Sequence, residues 1–119
     1  MKFRILPAAA ALALASTGAL AQNSNQGVSK TEITLGSIQD LSGPIAGFGK
    51  QVRLGMMLRV DEVNEQGGIH GRKIVLKVED SAYDPKKAVL AAQKLVNQDK
   101  IFAMVGHIGT AQNLSLIHI

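Results

Sequence analysis

The sequence predicts an α/β fold with a three-layer parallel sheet, because strand-like and helix-like patterns alternate along it. Three segments have strand patterns, and two amphipathic segments with helical periodicity lie between them. The order strand, helix, strand, helix, strand favours parallel strands joined by right-handed crossovers, with helices covering the faces of the sheet. Ligands of such sheets bind beyond the carboxyl ends of the strands, so the loops after the first and third strands are candidate sites.

The first strand and the first helix are separated by a long loop. Residues 32–38 alternate polar and apolar side chains, which predicts a strand. Turn-forming residues fill 40–49, and the glycines on either side of Phe48 predict an irregular backbone to the end of that loop. The helix that follows ends at Gly67 and Gly68. Its apolar stripe consists of Val52, Met56, Val60 and Val63.

The second strand and the second helix have clear boundaries. Residues 73–80 have an apolar centre and predict a strand, and Asp84 followed by Pro85 predicts the cap and first turn of a helix. The third strand is predicted over 101–106, because a continuous apolar run is typical of a strand covered on both faces. The apolar face of the second helix consists of Ala88, Ala91, Ala92, Leu95 and Val96.

The amino terminus has the pattern of a secretory signal peptide. Two basic residues precede an uncharged apolar run over 5–14, and small residues mark a cleavage site between Ala21 and Gln22. The alternative is a membrane helix, but a span needs about 20 apolar residues and this run is shorter. We therefore expect export of the protein, removal of residues 1–21, and a polar linker over 22–32.

Charge and composition argue against nucleic acid as a partner. The sequence has 13 basic and 9 acidic residues, but Lys2 and Arg4 belong to the predicted signal peptide, so the mature chain is nearly balanced. Phe48, Tyr83 and Phe102 are the aromatic residues outside the signal, too few for a platform on which bases stack. Cysteine is absent, which excludes both a disulfide and the lipid-bearing cysteine of a lipoprotein, so a soluble mature protein is expected.

Motifs for nucleotide binding, metal binding and catalysis are incomplete. Five residues separate Gly43 from Gly49 where a phosphate loop has four, and Gln51 occupies the place of the magnesium-binding Ser or Thr. The three histidines lie far apart without a second ligand at metal spacing, so no metal or cofactor is predicted. Ser42 lacks the glycines of a nucleophile elbow, so no catalytic residue is predicted either.

What remains is a cleft of small polar groups and exposed backbone amides at the carboxyl edge of the sheet. Ser42, Gly109 and Thr110 can donate hydrogen bonds to an anionic group such as a carboxylate. The alternative is that Thr110 only caps a helix that begins there. The spacing of these residues does not decide between the two interpretations.

Four segments occur in the same order in a known family. They are LSGPIA at 41–46, VNEQGGIHGRKI at 63–74, DPKKA at 84–88 and VGHIGT at 105–110. Through them the run from 33 to 113 resembles the start of the periplasmic solute-binding proteins of the branched-chain amino acid (Leu/Ile/Val) type, which feed ABC importers. The Asn-x-x-Gly-Gly-Ile-x-Gly stretch, between a helix and a strand, is fairly specific.

The resemblance implies a type I periplasmic binding fold and a ligand site. It implies that the Thr110 hydroxyl holds the carboxylate of the ligand, with Gly109 beside it, and that Phe48 packs against the ligand. Family members often join the loops after the second and third strands by a disulfide, and the matching positions here are Tyr83 and Gly109. A cleft with a different lining is therefore expected.

The resemblance also implies a function. It implies a monomeric, non-enzymatic protein that captures a branched-chain amino acid or a related small carboxylate or amide in the periplasm. The partner that receives the ligand is then an ABC permease in the inner membrane. The rival hypothesis is an exported Rossmann-like enzyme whose catalytic residues lie in sequence beyond this chain.

The family is much longer than this chain. We expect 33–113 to be the first part of one of two lobes, and the remaining ligand contacts to lie in sequence that is missing. Residues 114–119 leave the family pattern abruptly, and the mosaic-end sequence of a widely used sequencing transposon translates to these residues. The hypothesis is that the reading frame enters library adapter DNA at residue 114.

Overall fold

Three parallel strands form the centre of the molecule in a computed structural model that describes residues 25–117. The predicted signal peptide and its cleavage site between Ala21 and Gln22 lie outside the described residues. The strands are β1 (Glu32–Gln39), β2 (Lys73–Asp80) and β3 (Ala103–Met104), in the order β2-β1-β3. The helices are α1 (Ala46–Glu65), α2 (Pro85–Gln93) and α3 (Thr110–Leu116), and a π-helical turn over Lys94–Gln98 continues α2. The predicted α/β class with a parallel sheet is confirmed. Within residues 25–117, no helix is both long and apolar enough to cross a membrane.

The central strand β1 supplies both faces of the sheet through its alternating side chains. Gly36 and Ile38 face α2, and Ile38 is fully buried in the main apolar core. Leu35 and Ser37 face α1, where the Ser37 hydroxyl lies 3.9 Å from the sulfur of Met56. The two long helices therefore cover opposite faces, as right-handed crossovers in opposite directions require.

Helix α1 begins at Ala46, earlier than the sequence indicates. The prediction of an irregular backbone around Phe48 is wrong, because Phe48 lies in the first turn of the helix. The buried carboxylate of Asp40 accepts hydrogen bonds from the backbone N–H groups of Gly43 (2.5 Å) and Ile45 (2.9 Å). These bonds complete the turn, so the helix starts directly after it.

Glycine is required at Gly49 for close packing rather than for flexibility. A Cβ atom added at Gly49 would lie 1.9 Å from the carbonyl oxygen of Asp40. The predicted apolar stripe starts at Val52, but 39% of Val52 is exposed. This end of α1 is therefore held by backbone contact, and the partly buried Met56 and Val60 face the sheet further along.

The end of α1 follows the prediction. Gly67 and Gly68 both have positive φ (97° and 73°), and the N–H of Gly68 donates to the carbonyl of Val63 at 2.8 Å. Asn64 ties this end to β2, since its Oδ1 accepts from the N–H of Ile74 (2.7 Å) and its Nδ2 donates to the carbonyl of Ile74 (2.9 Å). The Asn of the family-like stretch thus joins a helix to an edge strand.

Helix α2 has the predicted cap and most of the predicted apolar face. Asp84 Oδ1 accepts from the N–H groups of Lys86 (2.7 Å) and Lys87 (3.1 Å). Leu95 is fully buried, whereas Val96 is 39% exposed, so the prediction is wrong at Val96. The π-helical turn holds more residues than an α-helical turn, which rotates Val96 away from the core.

Strand β3 is shorter than the six residues predicted over 101–106, because only Ala103 and Met104 have regular strand pairing. The backbone still bonds to β1 on both sides of them, through the N–H groups of Phe102 (2.7 Å) and Val105 (2.8 Å). The Phe102 side chain is 61% exposed, so the prediction of a strand covered on both faces is wrong there. Among the described residues β3 has a strand partner on one side only.

The described part of the predicted linker, residues 25–31, lies against the sheet. The N–H of Thr34 donates to the carbonyl of Gly27 at 2.7 Å. The Gln26 side chain donates to the carbonyl of Ile101 at 3.1 Å. The chain is therefore tied to the amino end of the sheet before β1 begins.

Candidate functional site

The candidate site is the crevice between the carboxyl ends of β1 and β3. In the order β2-β1-β3 the two crossovers run in opposite directions, so the strand order reverses between β1 and β3. Open α/β sheets bind ligands at such a switch point. The β1–α1 loop (40–45) and the β3–α3 loop (105–109) border this crevice.

The four residues expected to bind a ligand lie on these two connections. Ser42 lies in the β1–α1 loop and Phe48 in the first turn of α1, while Gly109 precedes α3 and Thr110 is its first residue. Ser42, Phe48 and Thr110 are exposed. Within residues 25–117, no side-chain hydrogen bond joins any two of the four. Their role in ligand binding stays a prediction.

The Ser42 hydroxyl is engaged by the neighbouring strand. It donates to Oδ2 of Asp80 at 2.6 Å, while Oδ1 of Asp80 accepts from the N–H groups of Leu41 and Ala82, both at 2.8 Å. Burial acts to raise the pKa of Asp80, but the bonds from Ser42 and the backbone outweigh it and hold this pKa below its ordinary value. A hydroxyl has one proton, so Ser42 must rotate before it can donate to a ligand.

The β3–α3 connection depends on glycine at position 109. Gly109 has φ 113°, and a Cβ atom there would lie 2.1 Å from Oε1 of Gln112. Gln112 is 1% exposed, and neither polar atom of its side chain has a hydrogen-bond partner within residues 25–117. Sequence reasoning missed Gln112, because a glutamine near a helix start has the signature of a surface residue.

The periplasmic binding protein family matches residues 32–119, which includes every element described above. The chain belongs to this family. The match includes 114–119, and α3 continues to Leu116, which packs against the apolar core. Neither observation tests the DNA from which these last residues derive, so the adapter hypothesis stays a prediction.

The chain is similar to proteins named as Leu/Ile/Val-binding proteins and as ABC transporter substrate-binding proteins. The Leu/Ile/Val-binding protein BraC3 of Rhizobium johnstonii is 47% identical over 77 residues, or 65% of this chain and 21% of that protein. The fatty acid ABC transporter substrate-binding protein from Thermomonospora curvata superposes with a TM-score of 0.74 at 35% identity, covering 77% of this chain and 23% of that one. A branched-chain amino acid transporter substrate binding protein from Streptococcus pneumoniae, in complex with isoleucine, gives a TM-score of 0.70 at 30% identity, covering 74% and 25%.

These likenesses confirm the resemblance to the branched-chain amino acid type and the type I periplasmic binding fold. They also show what fraction of a relative's length this chain represents. The chain spans about a fifth of the length of the curated relatives it matches. The crevice between β1 and β3 therefore corresponds to only part of the surface of such a relative.

Two aromatic side chains are exposed at the carboxyl edge of the sheet. Phe48 is 68% exposed and Tyr83 is 38% exposed. Tyr83 and the preceding Ala82 have positive φ values of 59° and 47°, a conformation that non-glycine residues rarely adopt. Tyr83 is thus held in a strained turn.

His107 is half-buried in the β3–α3 loop. Its Nδ1 accepts a hydrogen bond from the N–H of Ile38 at 3.1 Å, so the imidazole satisfies a backbone donor of β1. Burial lowers the pKa of His107, which keeps the ring neutral at neutral pH. Within residues 25–117 no three metal-ligating side chains cluster. His107 acts here as a hydrogen-bond acceptor for the strand that borders the crevice.

A buried amide at the end of β1 also escaped sequence reasoning. Gln39, the last residue of β1, is fully buried, and its Nε2 donates to the Ser37 hydroxyl at 2.7 Å and to the carbonyl of Gly106. This side chain joins β1 to the start of the β3–α3 loop. Its pattern in the sequence is that of a polar residue at the end of a strand, which carries no signal for such a link.

Proposed function

We propose that this chain begins a periplasmic solute-binding protein that captures a branched-chain amino acid or a related small carboxylate or amide. The ligand is then delivered to an ABC permease in the inner membrane, and the binding protein acts as a monomer. The support is the family membership, together with relatives that are named for binding Leu/Ile/Val and for ABC transport. The predicted signal peptide over 1–21 agrees with a periplasmic location.

The observation that supports this function best is that an exposed aromatic lies at the start of α1 and an exposed hydroxyl at the start of α3, the two helices that follow the loops bordering the switch-point crevice. Thr110 offers a hydroxyl and Phe48 an apolar surface. Isoleucine and a fatty acid, the ligands named for two structural neighbours, share a carboxylate and an aliphatic group. The Thr110 hydroxyl with the Gly109 backbone fits the carboxylate, and Phe48 fits the aliphatic group.

The natural protein is proposed to continue past residue 113 into the rest of this lobe and a second lobe, which together close over the ligand. The length of the relatives supports this, since the chain covers about a fifth of them. Genomic sequencing across the locus tests it. A genuine stop codon directly after Ile119 would contradict the adapter hypothesis.

An exported enzyme is the alternative, and the family membership does not support it. Within residues 25–117 the crevice residues offer hydrogen-bond donors and an aromatic surface, which suit binding. Mixing the full-length protein with each ligand and analysing the solution by mass spectrometry separates the two hypotheses. Formation of a product would end the binding-protein proposal.

Isothermal titration of the full-length protein tests the ligand class directly. The panel is leucine, valine, an aliphatic amide, an aromatic acid and a medium-chain fatty acid. For the tightest ligand, Thr110→Ala is expected to weaken binding by about 10- to 100-fold, because a hydrogen bond to a charged group is lost. Thr110→Ser keeps the hydroxyl and is expected to retain most of the affinity.

Thr31→Ala is the matched control for this titration. Thr31 is exposed just before β1, at the opposite edge of the sheet. Its substitution removes the same hydroxyl and methyl groups without touching the crevice, so affinity should not change. Unchanged binding by Thr110→Ala would contradict the assignment of Thr110, and an absence of binding across the panel would contradict the ligand class.

A further inference from the structure

Asp80 is the one carboxylate of β2 that reaches into a neighbouring loop. β1 and β2 pair in register up to Gln39 and Asp80, so both strands end at the same level. This brings the Asp80 side chain beside the β1–α1 loop, which lies about forty residues earlier in the chain. There Asp80 accepts from the Ser42 hydroxyl at 2.6 Å and from the Leu41 N–H at 2.8 Å.

The same carboxylate also holds its own loop. Oδ1 of Asp80 accepts from the N–H of Ala82 at 2.8 Å, which stabilises the turn in which Ala82 and Tyr83 have positive φ. The two loops are in direct contact, because a Cβ atom at Gly43 would lie 2.5 Å from the carbonyl oxygen of Ala82. One side chain therefore fixes the relative position of two loops at the edge where ligands bind.

The anionic form of Asp80 suits this role. All three of its partners are donors, and donors bind an ionised carboxylate more strongly than a neutral one. Asp40 holds the β1–α1 loop from inside, through Gly43 and Ile45, but its bonds stay within a single loop. Asp80 supplies the connection to the next strand.

We propose that Asp80 is a positioning residue for ligand binding, which holds the Ser42 segment and the Tyr83 turn in the arrangement that receives the ligand. This inference rests on the proposed function. Asp80 itself does not touch the ligand. It acts through Ser42 and the backbone of Leu41, which lead directly into the helix that carries Phe48.

Substitutions at Asp80 separate positioning from charge. Asp80→Ala removes the shared acceptor of all three donors. Asp80→Asn keeps an oxygen for the N–H groups of Leu41 and Ala82, and its new amide can donate to the Ser42 oxygen, so the arrangement survives without the charge. Rescue by Asn is a result that a direct electrostatic contact with the ligand would not give.

Glu79→Gln is the matched control, because Glu79 is adjacent on β2 and loses the same charge. Glu79 pairs with Lys94 beyond α2, on the other face of the sheet from α1. Its substitution is expected to lower stability slightly and to leave ligand affinity unchanged. Urea unfolding of each variant establishes that it is folded in the binding assay.

The test is isothermal titration of the full-length protein and its variants with the tightest ligand of the panel above. We expect Asp80→Ala to weaken binding by about tenfold, or ~1.4 kcal/mol, and Asp80→Asn by less than about threefold. Ser42→Ala is expected to weaken binding in the unmodified protein and to have no further effect in the Asp80→Ala background, because the two residues act as a unit. If Asp80→Ala does not fold, Asp80→Ser replaces it.

Three outcomes overturn the inference. The first is equal affinity of Asp80→Ala and the unmodified protein, and the second is an equal loss in Glu79→Gln. The third is full additivity of the Ser42 and Asp80 substitutions. A failure of the unmodified protein to bind any ligand of the panel is a separate result, which overturns the proposed function and this inference with it.

Discussion

The two faces of the sheet are built in different ways. On the α2 face, a cluster of buried apolar residues packs between the helix and β1. Its buried residues are Ile38, Ala88, Ala91, Ala92, Leu95 and Ile101. On the α1 face a groove of about 230 Å³ remains between Met56 and Val63 on the helix and Leu76 on the sheet.

Polar contacts add to the apolar packing on the α1 face. Asp40 fixes the start of α1 through the preceding loop, Asn64 fixes its end, and the buried Gln39 and Ser37 bond to each other beneath it. The loop that borders the crevice belongs to this face. We infer that the α2 face supplies most of the stability, whereas the α1 face positions the ligand-binding loop.

The largest expected effect comes from deleting apolar volume on the α2 face. Leu95 is fully buried, so Leu95→Ala in the full-length protein should lower the free energy of unfolding by about 2–5 kcal/mol. Met56→Ala on the α1 face should cost less than about 2 kcal/mol, because Met56 lines a groove that is already open. Urea unfolding measures both, and equal losses would break the comparison between the faces.

The second prediction concerns the close backbone contact that holds the start of α1. Gly49→Ala should destabilise the protein by about 1–3 kcal/mol, since its Cβ would meet the rigid backbone of Asp40 at 1.9 Å. At Gly47, two residues earlier on the same helix, an added Cβ would meet no atom within 4 Å, so Gly47→Ala should stabilise by about 0.5 kcal/mol. Unfolding midpoints that shift in the same direction would show that Gly49 has no special packing role.

Sequence patterns predicted the α2 face better than the α1 face, and the reason is physical. Periodicity reports burial against an apolar core, so it found Leu95, and it failed at Val96 where the helix changes geometry. The cap at Asp84 was found from the local Asp-Pro motif. On the α1 face, polar side chains and backbone groups make the contacts that hold the two ends of the helix. Asp40 and Gln39 look like loop and surface residues in the sequence, because their partners are backbone groups that only the fold brings close.

The candidate site shows the same division. Motif reasoning indicated Gly109 and Thr110, since their positions follow from the strand order and the family resemblance. It gave no sign of Asp80 as a link between loops, because the bond from Ser42 joins two loops that are far apart in the sequence. Nor did it indicate the buried Gln112, whose carboxamide packs against Gly109. Long-range polar contacts carry no periodic signal, so they become visible only in three dimensions.

The smallest expected effect is a dependence of stability on pH, which tests a polar contact of β1. Burial lowers the pKa of His107 in the folded state below the ordinary value of 6.5, so the folded state binds the proton less readily than the unfolded state. The contribution of neutral His107 to stability is therefore complete above pH 6.5 and is lost as the pH falls through the lowered pKa. Protonation also places an N–H on Nδ1, where it opposes the N–H of Ile38 that Nδ1 now accepts.

Urea unfolding of the full-length protein between pH 8 and pH 5 measures this loss. The unmodified protein should lose more stability over that range than His107→Gln, because the glutamine at position 107 does not titrate. His70→Asn is the control, because His70 is exposed in a turn with φ 50° and Asn tolerates that conformation. Suppose that His107→Gln and the unmodified protein follow the same pH curve while His70→Asn departs from it. The acid-sensitive contact then lies in the turn before β2, and β1 does not depend on a neutral imidazole at His107.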